Sequence, residues 1–295
     1  MVCTVTAGEL LEWRRDRLRA GGQASQLDWL LDLVGGVSWQ TLQQLRLDPQ
    51  RSVALSEPLS RVAELWQRHL SNEEPLQYLV GRCPWRDLEL LVQPGVLIPR
   101  QETELILELA TSLLGQFAPE QPLRWADLGT GSGCLAVALA RAWTQSEGWA
   151  VDCSSAALAQ AAMNIKHYDL QQQVALLEGS WWEPLRPIFG SLQLVVSNPP
   201  YIPTDVWREL DPQVRNHEPA VALDGGPDGL DPIRTIANDA AVALAPGGLL
   251  LVEHHHDQSA AVLEVFKGAG LEQLQAHPDL EGIQRFASAR RPGQP

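Results

Sequence analysis

The chain's 295 residues suffice for one large α/β domain together with a smaller one, and its 45% hydrophobic content can fill a sizeable core. Lys and Arg total 22 against 36 Asp and Glu, a formal charge of −14, which disfavours a protein that holds nucleic acid mainly through phosphate contacts. No apolar run approaches the ~20 residues of a membrane helix, which disfavours a membrane partner.

Residues 1–75 read as helical. The first twenty carry Glu9, Glu12, Arg14, Arg15, Asp16 and Arg17, which is no secretory pattern. Leu27, Leu30, Leu31 and Val34 recur at helical spacing, as do Leu59, Val62, Ala63, Trp66 and Leu70. Gly21-Gly22, Gly35-Gly36 and Asp48-Pro49 punctuate them, so a small helical bundle is expected, with Gly21-Gly22-Gln23 as an interhelical turn. Across 76–99, Leu88, Leu90, Val92, Val96 and Ile98 alternate with polar or small residues around Pro94-Gly95, a hairpin signal. A helix opens at Gln101-Glu102-Thr103-Glu104 and runs to about Leu114.

From Leu123 onward strand and helix alternate. Strands are expected at 123–128, 149–152, 174–178, 192–197 and 248–253, and helices at 134–143, 155–167, 231–244 and 262–269. Such alternation implies a mostly parallel sheet covered on both faces, here spanning 100–295. Cys3, Cys83, Cys134 and Cys153 have neither C-x-x-C nor zinc-finger spacing; reduced thiols in a cytoplasmic protein without a metal are expected.

Asp127-Leu128-Gly129-Thr130-Gly131-Ser132-Gly133 joins the first of these strands to a helix. Its glycines permit a tight turn and close backbone approach to a ligand, and the G-x-G-x-G spacing is neither the dinucleotide pattern nor a P-loop. Asp152 ends the next strand, 19 residues after Gly133, where an acid can accept hydrogen bonds from both ribose hydroxyls. The competing role is to cap the following helix, which Ser154 or Ser155 can serve instead. Gly179-Ser180-Trp181-Trp182 follows the third strand; an indole there can lie against a purine, and Trp182 is better read as core. A nucleoside-bearing cofactor is the common requirement.

Asn198-Pro199-Pro200-Tyr201 follows the apolar strand 192–197. Two prolines end the ladder and hold Asn198 extended, so a stiff loop presents an amide and an aromatic ring at the carboxyl edge of the sheet. An Asn carbonyl with rigid backbone carbonyls suits a planar N–H₂ group, and so nitrogen methylation. With the glycine loop it selects S-adenosyl-L-methionine, which leaves as S-adenosyl-L-homocysteine.

These segments together resemble the peptide chain release factor N5-glutamine methyltransferases. The resemblance runs through Pro75–Gly81, Val96–Glu104, Asp127–Gly133, Ser197–Ile202, Glu218-Pro219, Ala222–Leu230 and Asp279–Arg285. It implies an N-terminal helical domain at 1–75, a β-hairpin linker at 76–99 and a Rossmann-like, seven-stranded class I methyltransferase domain at 100–295. It implies methylation of the glutamine in the Gly-Gly-Gln motif of class-1 release factors by a monomer that does not bind nucleic acid directly. By matching position, Asp127, Gly129, Thr130, Gly131, Ser132, Gly133 and Asp152 would hold the cofactor, Trp181 would lie beside its adenine, and Asn198, Pro199, Pro200 and Tyr201 would take the glutamine and carry the chemistry, with Asn198 also touching the cofactor.

The chain departs from the family at Gln101, where proline is usual, and at Ser180, where an acid is usual. His254-His255-His256 replaces an apolar-glycine pattern after Glu253 and puts that turn's geometry in question; the run reads as a solvated strand end rather than a metal site. Two other functions compete. An N6-adenine or N2-guanine amino-methyltransferase would use the same Asn-Pro-Pro-Tyr chemistry on nucleic acid. A degenerate domain kept for binding alone is opposed by the intact glycines, Asp152 and Asn198.

Overall fold

The computed structural model describes residues 3–115 and 122–293. The chain forms two units, 1–82 with 212–217 and 83–211 with 218–295. The expected linker is thereby divided, 76–82 going with the first unit and 83–99 with the second.

In the first unit a short strand β1 (Cys3–Thr6) leads into α1 (Ala7–Arg19), followed by α2 (Ala24–Leu33), α3 (Trp39–Leu45), β2 (Ser52–Leu55), α4 (Leu59–Asn72) and α5 (Leu76–Val80). Thr6 starts α1 with a capping box: its Oγ1 accepts from the Glu9 N–H at 3.2 Å, and Glu9 Oε2 accepts from the Thr6 N–H at 2.7 Å. Leu10, Leu27, Leu30, Leu31, Val62, Leu65 and Trp66 fill the core. The strand pair departs from the all-helical expectation: β1 and β2 lie antiparallel, from Cys3 opposite Leu55 to Thr6 opposite Ser52. Four-residue strands leave too little alternation to stand out from their helical surroundings. Gly21 and Gly22 form the expected interhelical turn, and a Cβ on Gly22 would lie 2.3 Å from the Trp66 ring.

A hairpin of β3 (Arg82–Trp85), whose first residue belongs to the first unit, and β4 (Leu88–Leu91) opens the second unit. Its turn is at Arg86-Asp87, not at the expected Pro94-Gly95, and Arg86 takes a φ of 56°. The stretch after Pro94-Gly95 pairs with no strand because its polar groups are engaged elsewhere. The Ile98 N–H donates to Glu218 Oε2 at 3.3 Å, and the Arg100 carbonyl accepts from Trp85 Nε1 at 2.7 Å. The remaining elements are α6 (Leu105–Leu114), β5 (Arg124–Leu128), α7 (Cys134–Ala142), β6 (Glu147–Asp152), α8 (Ser155–His167), β7 (Val174–Glu178), β8 (Leu192–Ser197), α9 (Thr204–Trp207), α10 (Pro212–Arg215, part of the first unit), α11 (Asp231–Ala243), β9 (Leu244–Glu253), α12 (Ser259–Gly268), β10 (Glu272–Pro278) and β11 (Gln284–Arg290).

Seven strands form one sheet in the order β10-β11-β9-β8-β5-β6-β7, the seven-stranded Rossmann-like arrangement expected. All pairings are parallel except those of β11, which is antiparallel to both neighbours. Alternation sorts each central strand's side chains. Trp125, Leu194, Val196, Leu249 and Leu251 face α6–α8, whereas Ala126, Leu128, Val195, Leu250 and Val252 face α11 and α12. The chain winds outward from β5 in both directions, so the carboxyl ends of β5, β6 and β8 surround the topological switch point, where such sheets bind ligands. Among the described residues no helix is long and apolar enough to cross a membrane.

Candidate active site

A cleft of about 300 Å³ opens at that switch point, bordered by Gly129, Gly131, Asp152, Trp181, Asn198 and Pro200, with 95–97 and 219–224 as further walls. The glycine loop after β5 is left-handed at Gly129, Gly131 and Gly133, with φ of 75°, 54° and 80°. Gly133 and Gly131 require glycine for different reasons. A Cβ at Gly133 would stand 3.1 Å from Cα and Cβ of Ala161, so this residue lets α7 and α8 approach. A Cβ at Gly131 would meet no protein atom within 4 Å and would enter the cleft.

The loop is tied to β6. The N–H groups of Gly129 and Thr130 both donate to the Val151 carbonyl at 2.9 Å, and the Gly131 N–H donates to Asp152 Oδ2 at 2.9 Å. Asp152 Oδ1 accepts from the Ser154 N–H at 2.9 Å. Ser154 is itself the N-cap of α8, its Oγ accepting from the Ala157 N–H at 3.3 Å, so Asp152 is not needed as a cap. The Asp152 carboxylate keeps acceptor capacity for a ligand. Burial raises the Asp152 pKa, opposed by the backbone N–H groups of Ser154, Gly131 and Cys153.

Asp127 stands behind the loop rather than on the cleft. It is fully buried, accepts from Thr130 Oγ1 at 2.6 Å, and burial pushes its pKa up to about 7. Thr130 and Ser132 are buried too and border a hollow of about 30 Å³ that Asn198 shares. Gly133 borders neither space. Trp181 adopts a φ of 47°, uncommon for a bulky residue, and its ring lies 3.4 Å from where a Gly129 Cβ would be. Trp182 is core, with Nε1 donating to the Ile236 carbonyl at 2.9 Å.

At the end of β8, Ser197 Oγ donates to the Leu128 carbonyl at 2.6 Å and fastens the Asn-Pro-Pro-Tyr loop to β5. Asn198 Nδ2 donates to Thr103 Oγ1 at 2.9 Å, and Asn198 Oδ1 has no hydrogen-bond partner among the described residues. Pro199 and Tyr201 do not border the cleft. The Tyr201 hydroxyl donates to Glu253 Oε1 at 2.9 Å, and its carbonyl accepts from Gln258 Nε2 at 3.0 Å. Burial, and then the Glu253 carboxylate, hold the Tyr201 pKa well above the usual range.

Sequence reasoning gave no role to Thr103, Glu253, Arg100 or Glu218. Thr103 Oγ1 donates to Glu253 Oε2 at 2.7 Å, and Arg100 Nη2 pairs with Glu218 Oε1 at 2.7 Å. The available signal was an acid closing the apolar run Leu249–Val252, an unfavourable place for a charge without a partner. Gln258, five residues past the end of β9 and at the N-cap of α12, closes the turn that His255 put in question. Gln258 Oε1 accepts from the His255 N–H at 2.9 Å, and His255 keeps a negative φ, so the usual glycine is not required. His254 is buried with Nδ1 against the His255 carbonyl, while donor atoms of His255, His256 and Asp257 lie within 4.8 Å of one another.

Residues 103–208 match the model of the methyltransferase small domain. The fold is similar to that of the hMettl16 catalytic domain solved in complex with MAT2A 3′UTR hairpin 6, with a TM-score of 0.56 and 13% identity over 83% of this chain and 86% of that one. The release factor glutamine methyltransferase of Prochlorococcus marinus is 48% identical over 287 residues, 97% of this chain and 98% of that protein. The enzymes so named from Synechocystis sp. and Caulobacter vibrioides are 39% and 38% identical, over 97% and 90% of this chain and the same shares of theirs. The chain belongs to the release factor glutamine methyltransferase family.

Proposed function

We propose that this protein transfers the methyl group of S-adenosyl-L-methionine to the side-chain nitrogen N5 of the glutamine in the Gly-Gly-Gln motif of class-1 peptide chain release factors, acting as a cytoplasmic monomer. The observation that carries this reading is the free acceptor Asn198 Oδ1, held on the same cleft as Asp152 and Gly131. The cleft fits the cofactor in two respects. Asp152 is pinned by two backbone N–H groups yet keeps acceptor capacity for a ribose diol, and Gly131 leaves open the space a side chain would fill. Trp181 offers a flat apolar face on the adenine side.

The cofactor supplies an electrophilic methyl on sulfur: the N–C bond forms as the S–C bond breaks, and sulfur keeps the electron pair. The residues of this chain must handle a poor nucleophile, because an amide nitrogen shares its lone pair with the carbonyl. Asn198 Oδ1, the free acceptor on the cleft, accepts an amide hydrogen of the substrate. That acceptor favours the positive charge that develops on nitrogen, an effect strengthened where water is excluded. Holding the nitrogen in line with the methyl contributes several kcal/mol more. The surplus proton leaves to water after transfer, and no base is needed beforehand. Tyr201, whose hydroxyl is committed to Glu253, stiffens the loop from behind.

The test is methyl transfer to a purified release factor, read by mass spectrometry, for wild type and Asn198→Ala, with the release factor's Gln→Asn variant and an RNA hairpin as parallel acceptors. The reading requires one added methyl on the glutamine, none on the RNA, and loss of transfer in Asn198→Ala with cofactor affinity kept. Wild-type turnover in Asn198→Ala overturns it.

A further inference from the structure

The Asn198 amide is not free to choose which end faces the substrate, and the reason is a buried hydrogen-bond chain with a fixed direction. Glu253 ends β9 with 1% of its surface exposed, and Thr103 has the same exposure, so water cannot re-deal the bonds between them. The carboxylate accepts from two hydroxyls, Thr103 Oγ1 at 2.7 Å and Tyr201 Oη at 2.9 Å. A hydroxyl has one proton to give. With Glu253 ionised and that proton committed to it, Thr103 Oγ1 presents only lone pairs to Asn198, and only the Nδ2 end of the amide can meet them, as it does at 2.9 Å. The other end, Oδ1, is then obliged to face the cleft.

We propose that Thr103 and Glu253 are positioning residues for methyl transfer, a relay that fixes the Asn198 amide with its carbonyl toward the substrate and so selects an N–H₂ group over a carbonyl. This rests on the role of Asn198 given above and goes beyond it. A flipped Asn198 would offer N–H₂ to the incoming amide, repel its nitrogen and bind its oxygen instead, placing the wrong atom before the methyl group. Tyr201 enters the same relay through the second oxygen of Glu253, which explains a tyrosine in the loop that does not border the cleft. The Glu-Thr-Glu segment and the end of β9 thereby act on the loop after β8, although neither borders the main cleft.

The experiment compares Thr103→Val, Thr103→Ser and Glu253→Gln with wild type and Asn198→Ala, using the full chain, a release factor acceptor and calorimetric titration of S-adenosyl-L-methionine. Valine keeps the volume and removes the hydroxyl, so kcat falls about 10- to 100-fold, the scale of a misoriented reacting group, while cofactor affinity stays near wild type. Serine restores the hydroxyl and most of kcat. Glu253→Gln leaves one acceptor oxygen for two hydroxyls and gives a smaller fall in kcat. Wild-type kcat in Thr103→Val, or equal losses in the valine and serine variants, overturns the relay. If that happens while Asn198→Ala is inactive, the relay alone fails; if Asn198→Ala is active, the underlying reading fails first.

Discussion

Gly131 and Gly133 stand two residues apart in one loop, both left-handed, yet replacing each with alanine should damage different properties. An L-residue in this region costs about 1–2 kcal/mol, offset by about 0.4–1 kcal/mol from the stiffer unfolded chain. For Gly131, with φ 54° and nothing within 4 Å of the new Cβ, that is nearly the whole account, and stability should fall by about 1 kcal/mol. For Gly133, with φ 80°, the new Cβ stands 3.1 Å from Cα and Cβ of Ala161, backbone that cannot swing aside. Overpacking of that kind adds about 1–3 kcal/mol, so Gly133→Ala should lose about 2–4 kcal/mol. The ligand effects run the other way. The Gly131 methyl enters the cleft and should weaken S-adenosyl-L-methionine binding at least about tenfold, whereas Gly133 borders no part of the cleft and its folded fraction should bind nearly as wild type. Urea unfolding and calorimetric titration measure the two effects. Equal stability losses, or unchanged cofactor affinity in Gly131→Ala, would refute the division of labour within the loop.

Asp152→Ala should weaken cofactor binding roughly 10- to 100-fold, the scale of one or two hydrogen bonds to a charged acceptor, and a titration with unchanged affinity would remove Asp152 from the ribose. Stability should depend on pH through Asp127 and Glu253. Burial raises both to about 7 in the folded state, from 3.8 and 4.5, so between pH ~4 and ~7 the folded chain holds protons the unfolded chain has lost. Their contribution is fully present below pH ~4 and is lost as pH rises through 7, amounting to a few kcal/mol. Among the groups facing Glu253, Glu102 raises its pKa while Thr103, Tyr201 and Arg285 lower it. Denaturation midpoints from pH 4 to 8 test the slope, and Asp127→Asn should flatten it; an unchanged slope in that variant would show that Asp127 is ionised at neutral pH.

Much of the catalytic unit is legible in the order of the residues. α8, β7 and β8 run over 155–167, 174–178 and 192–197, the ranges that periodicity predicts, because each is a buried or half-buried segment bounded by turn residues. Where the reading slipped, a non-local partner had decided. Val92, Val96 and Ile98 alternate as a strand does, yet the hairpin forms earlier, at Arg82–Leu91, because Glu218, 120 positions away, takes the Ile98 N–H. The β1–β2 pair escaped notice because its strands lie about fifty positions apart and each has only four residues.

The site divides along the same line. The glycine loop, Asp152 and Asn-Pro-Pro-Tyr are visible in sequence because each is a local device: φ values only glycine tolerates, an acid at a strand end, prolines that stop a ladder. Which of these residues border the cleft is not a local property. Asp127, Thr130, Gly133, Pro199 and Tyr201 sit inside the same motifs and fall behind it, since neighbouring positions on a strand end or tight turn point in opposite directions. The direction of the Asn198 amide is farther still from the sequence, because it depends on Thr103, 95 positions before it, and through Thr103 on Glu253, 150 positions further along. Sequence alone marked a glycine loop suited to a nucleoside and a stiff loop suited to a planar N–H₂ group as parts of one site. Only the tertiary structure decided which end of the Asn198 amide is tied down and which is free, because the order β9-β8-β5 and the turn before α6 bring Thr103 and the Glu253 carboxylate behind the loop.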